Sequence, residues 1–119
     1  MSFHVDFFEK TVGQSPVLEF IDSLPDKQKA KVVHDISLLE EYGNTLREPY
    51  SKELGDGIFE LRTKCGNIAI RNLYFFYFDQ VVVVTNGFIK KTKKTPPKEI
   101  RRAKKYRAEW LGRNNKRGF

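Results

Sequence analysis

Two arginines stand in neighbouring segments that alternate as β-strands do. Glu60 and Arg62 are two residues apart, so a strand directs both side chains to one face. Arg71 falls within the next apolar run, where a charge is costly unless it is paired or the strand face is open. A turn near residues 65–67 separates the arginines and places them on adjacent strands. Whether they share a face depends on the register, which the sequence leaves open.

Four lysines follow the last strand-like segment, whose β-branched run at 81–84 has the profile of a buried strand. They are Lys90, Lys91, Lys93 and Lys94. A lysine run of this kind can simply be solvated. Here, however, it lies between a buried strand and a Pro-Pro helix start, which anchors its backbone. Crowded cations also disfavour one another's charged form, so one lysine could transfer protons near neutral pH.

These residue types suit electrostatic chemistry on a phosphate. Guanidinium groups bind phosphate through a planar, bidentate fork. Such a site could activate a ribose 2′-hydroxyl, hold the adjacent phosphate and stabilise the charge that develops on it. The structural alternative is that Glu60 pairs with Arg62 or Arg71 across the sheet, which is compatible with function.

The charge distribution also indicates an anionic partner. The 119-residue chain carries a net charge of +7. Residues 1–89 hold 9 Lys and Arg against 13 Asp and Glu, whereas residues 90–119 hold 13 against 2. This asymmetry favours nucleic acid as the partner of the C-terminal third, although a basic tail can also be merely solvating. Hydrophobic content of 39% predicts a globular domain rather than a disordered chain.

Several functional classes lack a sequence signal. The longest apolar runs are far too short to span a membrane, and no signal peptide opens the chain, so we expect a cytoplasmic protein. Cys65 is the single cysteine and lies at a predicted hairpin tip. His4 and His34 are distant in sequence from the basic cluster. Because there is no metal-ligand spacing and no glycine-rich phosphate loop, we expect no metal and no cofactor.

The periodicity predicts an α+β domain in the order β-α-α-β-β-β-α, with a helical hairpin packed on an antiparallel sheet. Ser15 and Pro16 have the pattern of a helix start, and Gly43 that of a helix end. Residues 1–119 form a single domain with no internal repeat. The expected segments are a first strand at 2–10, helices at 16–24 and 26–42, a loop at 44–57, strands at 58–64, 67–78 and 81–88, a helix from 97 that ends at Gly112, and a flexible tail at 113–119.

Several of these segments together resemble a known toxin family. They are GIFELR at 57–62, Arg71 in the next strand, GFIKKTKKTP at 87–96 and EIRRA at 99–103. Residues 16–21 and 43–49 fit the same pattern, so the likeness covers nearly the whole chain. The chain is similar to the HigB-like branch of the RelE/ParE toxin superfamily.

The resemblance implies a small RelE-like fold and the toxin of a type II toxin–antitoxin pair. Toxins of this branch are metal-independent endoribonucleases that mostly cleave mRNA in the ribosomal A site and so inhibit translation. The implied partners are mRNA, the ribosome and a cognate antitoxin, often of the helix-turn-helix type. The oligomeric state stays open.

The resemblance also implies roles for individual residues. The resemblance implies Arg71 as phosphate stabiliser, Arg62 as RNA clamp, and Lys90 or Lys91 in proton transfer or backbone binding. Four further residues are expected to bind RNA. They are Lys64, Lys93, Lys94 and Arg101. The C-terminal tyrosine of RelE-type sites, and the histidine and acidic residue of some HigB sites, have no counterpart here, so the general base is not identified.

Two other functions fit the same sequence. One is a ParE-like inhibitor of DNA gyrase, which would share the fold. The other is a non-catalytic RNA- or ribosome-binding protein whose basic segment supplies only phosphate affinity.

Overall fold

The protein is a five-stranded sheet with helices on both faces. The structure, a computed structural model, describes residues 2–78 and 80–114. The strands are β1 (His4–Phe7), β2 (Ser51–Gly55), β3 (Ile58–Cys65), β4 (Ile68–Tyr77) and β5 (Val81–Ile89); the helices are α1 (Pro16–Asp22), α2 (Asp26–Tyr42) and α3 (Pro97–Asn114), with a 3-10 turn at Gly43–Thr45. The α+β class and the three-strand meander are confirmed.

The sheet is mixed, whereas the sequence predicted an antiparallel one. Its strand order is β1-β5-β4-β3-β2, and every pair is antiparallel except β1 with β5. Parallel neighbours require a long connection. The helical hairpin and three further strands separate β1 from β5, so no tight turn imposes an antiparallel arrangement.

Strand β2 was also missed, because residues 44–57 were predicted to be a loop. It pairs with β3 alone and forms the edge of the sheet. Most of its side chains are exposed, so the segment has no apolar alternation to mark it as a strand. The order of elements therefore contains one strand more than expected.

The predicted helical hairpin is confirmed and covers one face of the sheet. Ser15 begins α1 as its N-cap, with its hydroxyl accepting from the backbone N–H of Leu18 at 3.3 Å. Gly43 ends α2 with φ +50°, and a Cβ there would lie 2.1 Å from the ring of Phe3. Side chains of both helices pack with Leu61 and Ile70 in one continuous core.

Helix α3 covers the opposite face and contacts β1 and the residue that follows it. Tyr106 stacks on Phe8 with ring centroids 4.5 Å apart, and the indole N–H of Trp110 donates to Asp6 at 2.9 Å. The helix continues past Gly112 to Asn114, so the predicted end at Gly112 is wrong. Arg113, predicted to belong to a tail, is helical and donates to the carbonyl of Lys10 at 2.7 Å. The rest of the predicted tail, 115–119, lies outside the described residues.

In the described part of the chain, no helix combines the length and the apolar character needed to cross a membrane.

Candidate functional site

The two arginines lie directly opposite each other on adjacent strands. In the β3–β4 register, Arg62 pairs with Arg71. Their sequence neighbours Leu61 and Ile70 are buried beneath the helical hairpin. Because side chains alternate along a strand, both guanidinium groups project to the other face, the one that α3 covers. The register that the sequence left open therefore brings the arginines together.

A buried carboxylate holds this pair. Glu60 is only 1% exposed, and its Oε1 accepts from Nε of Arg62 at 3.0 Å and lies 3.8 Å from Nε of Arg71. Its Oε2 accepts from the hydroxyl of Thr95, in the segment that leads into α3. The sequence also allowed Glu60 to pair with Arg62 or Arg71 across the sheet, and this ion pairing is present. It restricts the orientation of both arginines. A buried carboxylate is tolerated here because it is paired and hydrogen-bonded.

The arginines differ in how fully their nitrogens are occupied. Nη1 of Arg62 lies 3.3 Å from a carboxylate oxygen of Glu48, whose side chain is 65% exposed. Such a solvent-exposed pair is weak, and a phosphate could replace it. Nε of Arg71 is buried and has no hydrogen-bond partner among the residues that the structure describes. Burial lowers the pKa of Arg71. The negative charge of Glu60 raises this pKa, and the positive charge of Arg62 lowers it further. An incompletely satisfied buried donor is unusual in a purely structural ion pair.

Lys90 belongs to the same cluster. Its backbone N–H donates to the carbonyl of Ala69 at 2.8 Å, which fixes the chain where β5 ends. Burial lowers the pKa of Lys90, and the positive charges of Arg71, Arg62 and Lys52 lower it further, while Glu60 opposes the shift. The amine therefore loses its proton more readily than an ordinary lysine does.

Two clefts meet at Arg62. The smaller, about 310 Å³, lies between β2, β3 and the segment before α3, and its walls include Lys52, Glu60 and Lys90. The larger, about 680 Å³, lies between α2, residues 49–50 and the ends of β3 and β4, and Arg71 lines it with Arg62. Arg62 therefore borders both clefts, and Arg71 borders the larger one.

Most of the predicted site residues are brought together, but two are not. Lys93 and Lys94 line the smaller cleft with Lys90, and Lys64 lines the larger one. Lys91 and Arg101 are exposed, and neither is among the described residues that line the two clefts. The roles of all eight residues in catalysis and RNA binding stay predictions.

The structure adds residues that the sequence did not single out. Lys52 lies opposite Glu60 on β2, but its segment was predicted to be a loop. Thr95 belongs to the GFIKKTKKTP segment at 87–96, but the sequence assigned it no role in the site. His34 lines the larger cleft with both arginines, although its distance along the chain argued against a role. Helical periodicity can indicate whether His34 lies on the sheet-facing side of α2 or on its open side. The cleft itself, however, depends on the tertiary arrangement.

Among residues 2–78 and 80–114, no group of three or more His, Cys, Asp or Glu side chains is arranged to hold a metal ion. The chemistry that the site offers is that of closely spaced cations around one buried carboxylate.

Comparison with known proteins identifies the family. No curated protein shows a significant match to the chain. A sequence model of the family described as "Phage derived protein Gp49-like (DUF891)" matches residues 19–108, which include β3, β4, β5 and both arginines. Because this match spans most of the chain, the protein belongs to the Gp49-like family, which is associated with toxin–antitoxin systems.

Proposed function

We propose that this protein is the toxin of a type II toxin–antitoxin pair and acts as a RelE/HigB-type, metal-independent endoribonuclease on mRNA in the ribosome. The observation that carries the proposal is the direct pairing of Arg62 with Arg71 on one sheet face, with Glu60 between them and Lys90 beside them. Family membership supports the toxin assignment. The catalytic step is inferred from the chemistry of these groups.

The step proposed is attack of a ribose 2′-oxygen on the adjacent phosphorus. The bond from phosphorus to the 5′-oxygen of the next nucleotide breaks, which leaves a 2′,3′-cyclic phosphate and a 5′-hydroxyl. Arg62 and Arg71 bind the non-bridging oxygens and stabilise the charge that accumulates there. Lys90 in its neutral form accepts the 2′-hydroxyl proton, and its lowered pKa increases the neutral fraction near neutral pH. Water or a second cation supplies the proton to the leaving 5′-oxygen.

The experiment is cleavage of mRNA in purified translating ribosomes. We expect cuts within translated codons, and 3′ ends that carry a cyclic phosphate. RNA binding without any cut would instead indicate a non-catalytic ribosome-binding protein. Induction that produces DNA breaks and leaves mRNA intact would indicate a gyrase inhibitor.

We also propose a cognate antitoxin, which the family association supports. A basic cleft that can damage cellular RNA must be covered in the resting cell, and a protein segment of opposite charge is suited to this. Co-expression with the product of the adjacent gene should restore growth. Continued arrest, with both proteins present at comparable levels, would argue against that partner.

A further inference from the structure

The larger cleft continues beyond the arginine pair. It shares His34 and Tyr50 with a third cleft of about 400 Å³, which runs between α2 and residues 45–48. It shares Arg62 with the smaller cleft on the other side. The larger cleft, here called the central cleft, therefore has the smaller cleft beside it at Arg62 and the third cleft beside it at Tyr50.

The backbone of Tyr50 is hydrogen-bonded to that of Arg62. The carbonyl of Tyr50 accepts from the backbone N–H of Arg62 at 2.8 Å, and its own N–H donates to the carbonyl of Arg47 at 3.0 Å. The Tyr50 residue is nevertheless 47% exposed. The backbone that carries this large aromatic ring is thus held at a set position relative to Arg62, and about half of the residue stays open to a ligand. Aromatic rings in this setting bind by stacking at little entropic cost.

The charge around Tyr50 selects an anionic ligand. Lys31, Lys64 and both arginines line the central cleft. Asp35 also lines it, but one of its oxygens accepts from Thr63 at 2.7 Å and the other contacts His34 at 3.2 Å. The carboxylate is therefore largely occupied by protein donors. A basic groove with an open aromatic ring is the arrangement by which proteins bind single-stranded nucleic acid, with phosphates on the cations and a base on the ring.

We infer that Tyr50 is the stacking platform for one nucleobase of a single-stranded RNA whose neighbouring phosphate is held by Arg62 and Arg71. This inference rests on the proposed function and deepens it, because it names the feature of the substrate that the central cleft takes. Stacking accepts every base, so Tyr50 contributes affinity and register, and sequence preference is left to other contacts.

The test is equilibrium binding of a fluorescent 12-nucleotide single-stranded RNA with 2′-O-methyl riboses, which the protein cannot cleave. Tyr50→Ala should weaken binding roughly 5- to 150-fold, the range expected for loss of one stacked base. Tyr50→Phe should retain wild-type affinity, because the ring is kept. The matched control is Phe78→Ala, which removes an exposed aromatic ring beyond the opposite end of β4.

Two further measurements separate stacking from charge. The dependence of affinity on salt should be unchanged in Tyr50→Ala, because no phosphate contact is lost, whereas Lys64→Ala should reduce the salt slope by about one. With an abasic oligonucleotide of the same length, wild type and Tyr50→Ala should bind equally.

Each contrary outcome has one meaning. If Arg71→Ala weakens RNA binding and Tyr50→Ala does not, the stacking inference is wrong and the proposed function survives. If Tyr50→Phe binds as poorly as Tyr50→Ala, the hydroxyl rather than the ring is responsible and stacking is again excluded. If the wild-type protein binds neither the oligonucleotide nor ribosome-bound mRNA, both the inference and the proposed function fail.

Discussion

Glu60 and Arg62 face the same side of β3, and the carboxylate of one lies 3.0 Å from Nε of the other. Glu60 is almost completely buried, whereas the side chain of Arg62 is 24% exposed and lies where two clefts meet. Glu60 thus fixes Nε of Arg62, and the rest of the guanidinium group is available to the clefts.

Glu60→Gln keeps the size of the side chain and removes its charge. We expect mRNA cleavage to fall roughly 100-fold, because loosened arginines no longer bind the phosphate in the reactive geometry. General electrostatics predicts the opposite, since the variant gains one net positive charge and should attract RNA more strongly. The measurement is single-turnover cleavage on translating ribosomes. Glu41→Gln, an exposed change of equal charge on α2, is the control and should cleave at the wild-type rate.

Arg71→Ala removes the guanidinium group that is more deeply buried. We expect cleavage to fall about 100- to 1000-fold, because a donor to the charged phosphate is lost. Arg71→Lys keeps the charge but not the bidentate fork, so it should recover only part of the activity. Growth after induction gives the cellular readout. Arrest by Arg71→Ala, at the expression level of the wild type, would show that Arg71 is not essential for toxicity.

Lys90 should give the cleavage rate a characteristic pH dependence. A general base acts only after losing its proton, so the rate should rise with pH through the pKa of Lys90. That pKa is lowered from 10.5, mainly by burial, so the inflection should lie below the ordinary value for lysine. Lys90→Ala should abolish the inflection and reduce the rate roughly 100- to 10,000-fold.

The same pH profile connects Lys90 with Glu60. The negative charge of Glu60 raises the pKa of Lys90, whereas burial and the neighbouring cations lower it. In Glu60→Gln the inflection should therefore move to lower pH, in addition to the loss of rate. An inflection at the same pH in both proteins would indicate that another group accepts the proton.

Two glycine substitutions should change stability in opposite directions. A Cβ on Gly87 would lie 2.2 Å from Oδ1 of Asn72 and 2.5 Å from the ring of Phe20, so Gly87→Ala should destabilise the fold by about 1–3 kcal/mol. Gly112 lies within α3 with nothing within 4 Å of a Cβ. Gly112→Ala should therefore stabilise by roughly 0.5–1 kcal/mol. Chemical denaturation of both variants measures the difference. Equal effects would mean that Phe20 and Asn72 move aside without cost.

Much of the fold was predictable because its signals are local. Ser15 and Pro16 define a helix start through capping and a fixed φ, and Gly43 ends α2 because it adopts a positive φ. The alternation of Glu60 and Arg62 against Leu61 follows from the period of a strand. The edge strand β2 was missed because an exposed strand lacks this alternation, and its residue Lys52 was missed with it.

The sequence by itself determined the residue types of the site, its basic charge and the strand face to which Glu60 and Arg62 project, because these depend on composition and on nearest neighbours along the chain. The tertiary structure decided that Arg62 lies opposite Arg71 and that the hydroxyl of Thr95 donates to Glu60. It also decided that His34 and Tyr50 line the same cleft as the arginines. Strand register and the packing of α2 set these contacts. Both depend on burying the two faces of the sheet as a whole, which no local pattern encodes.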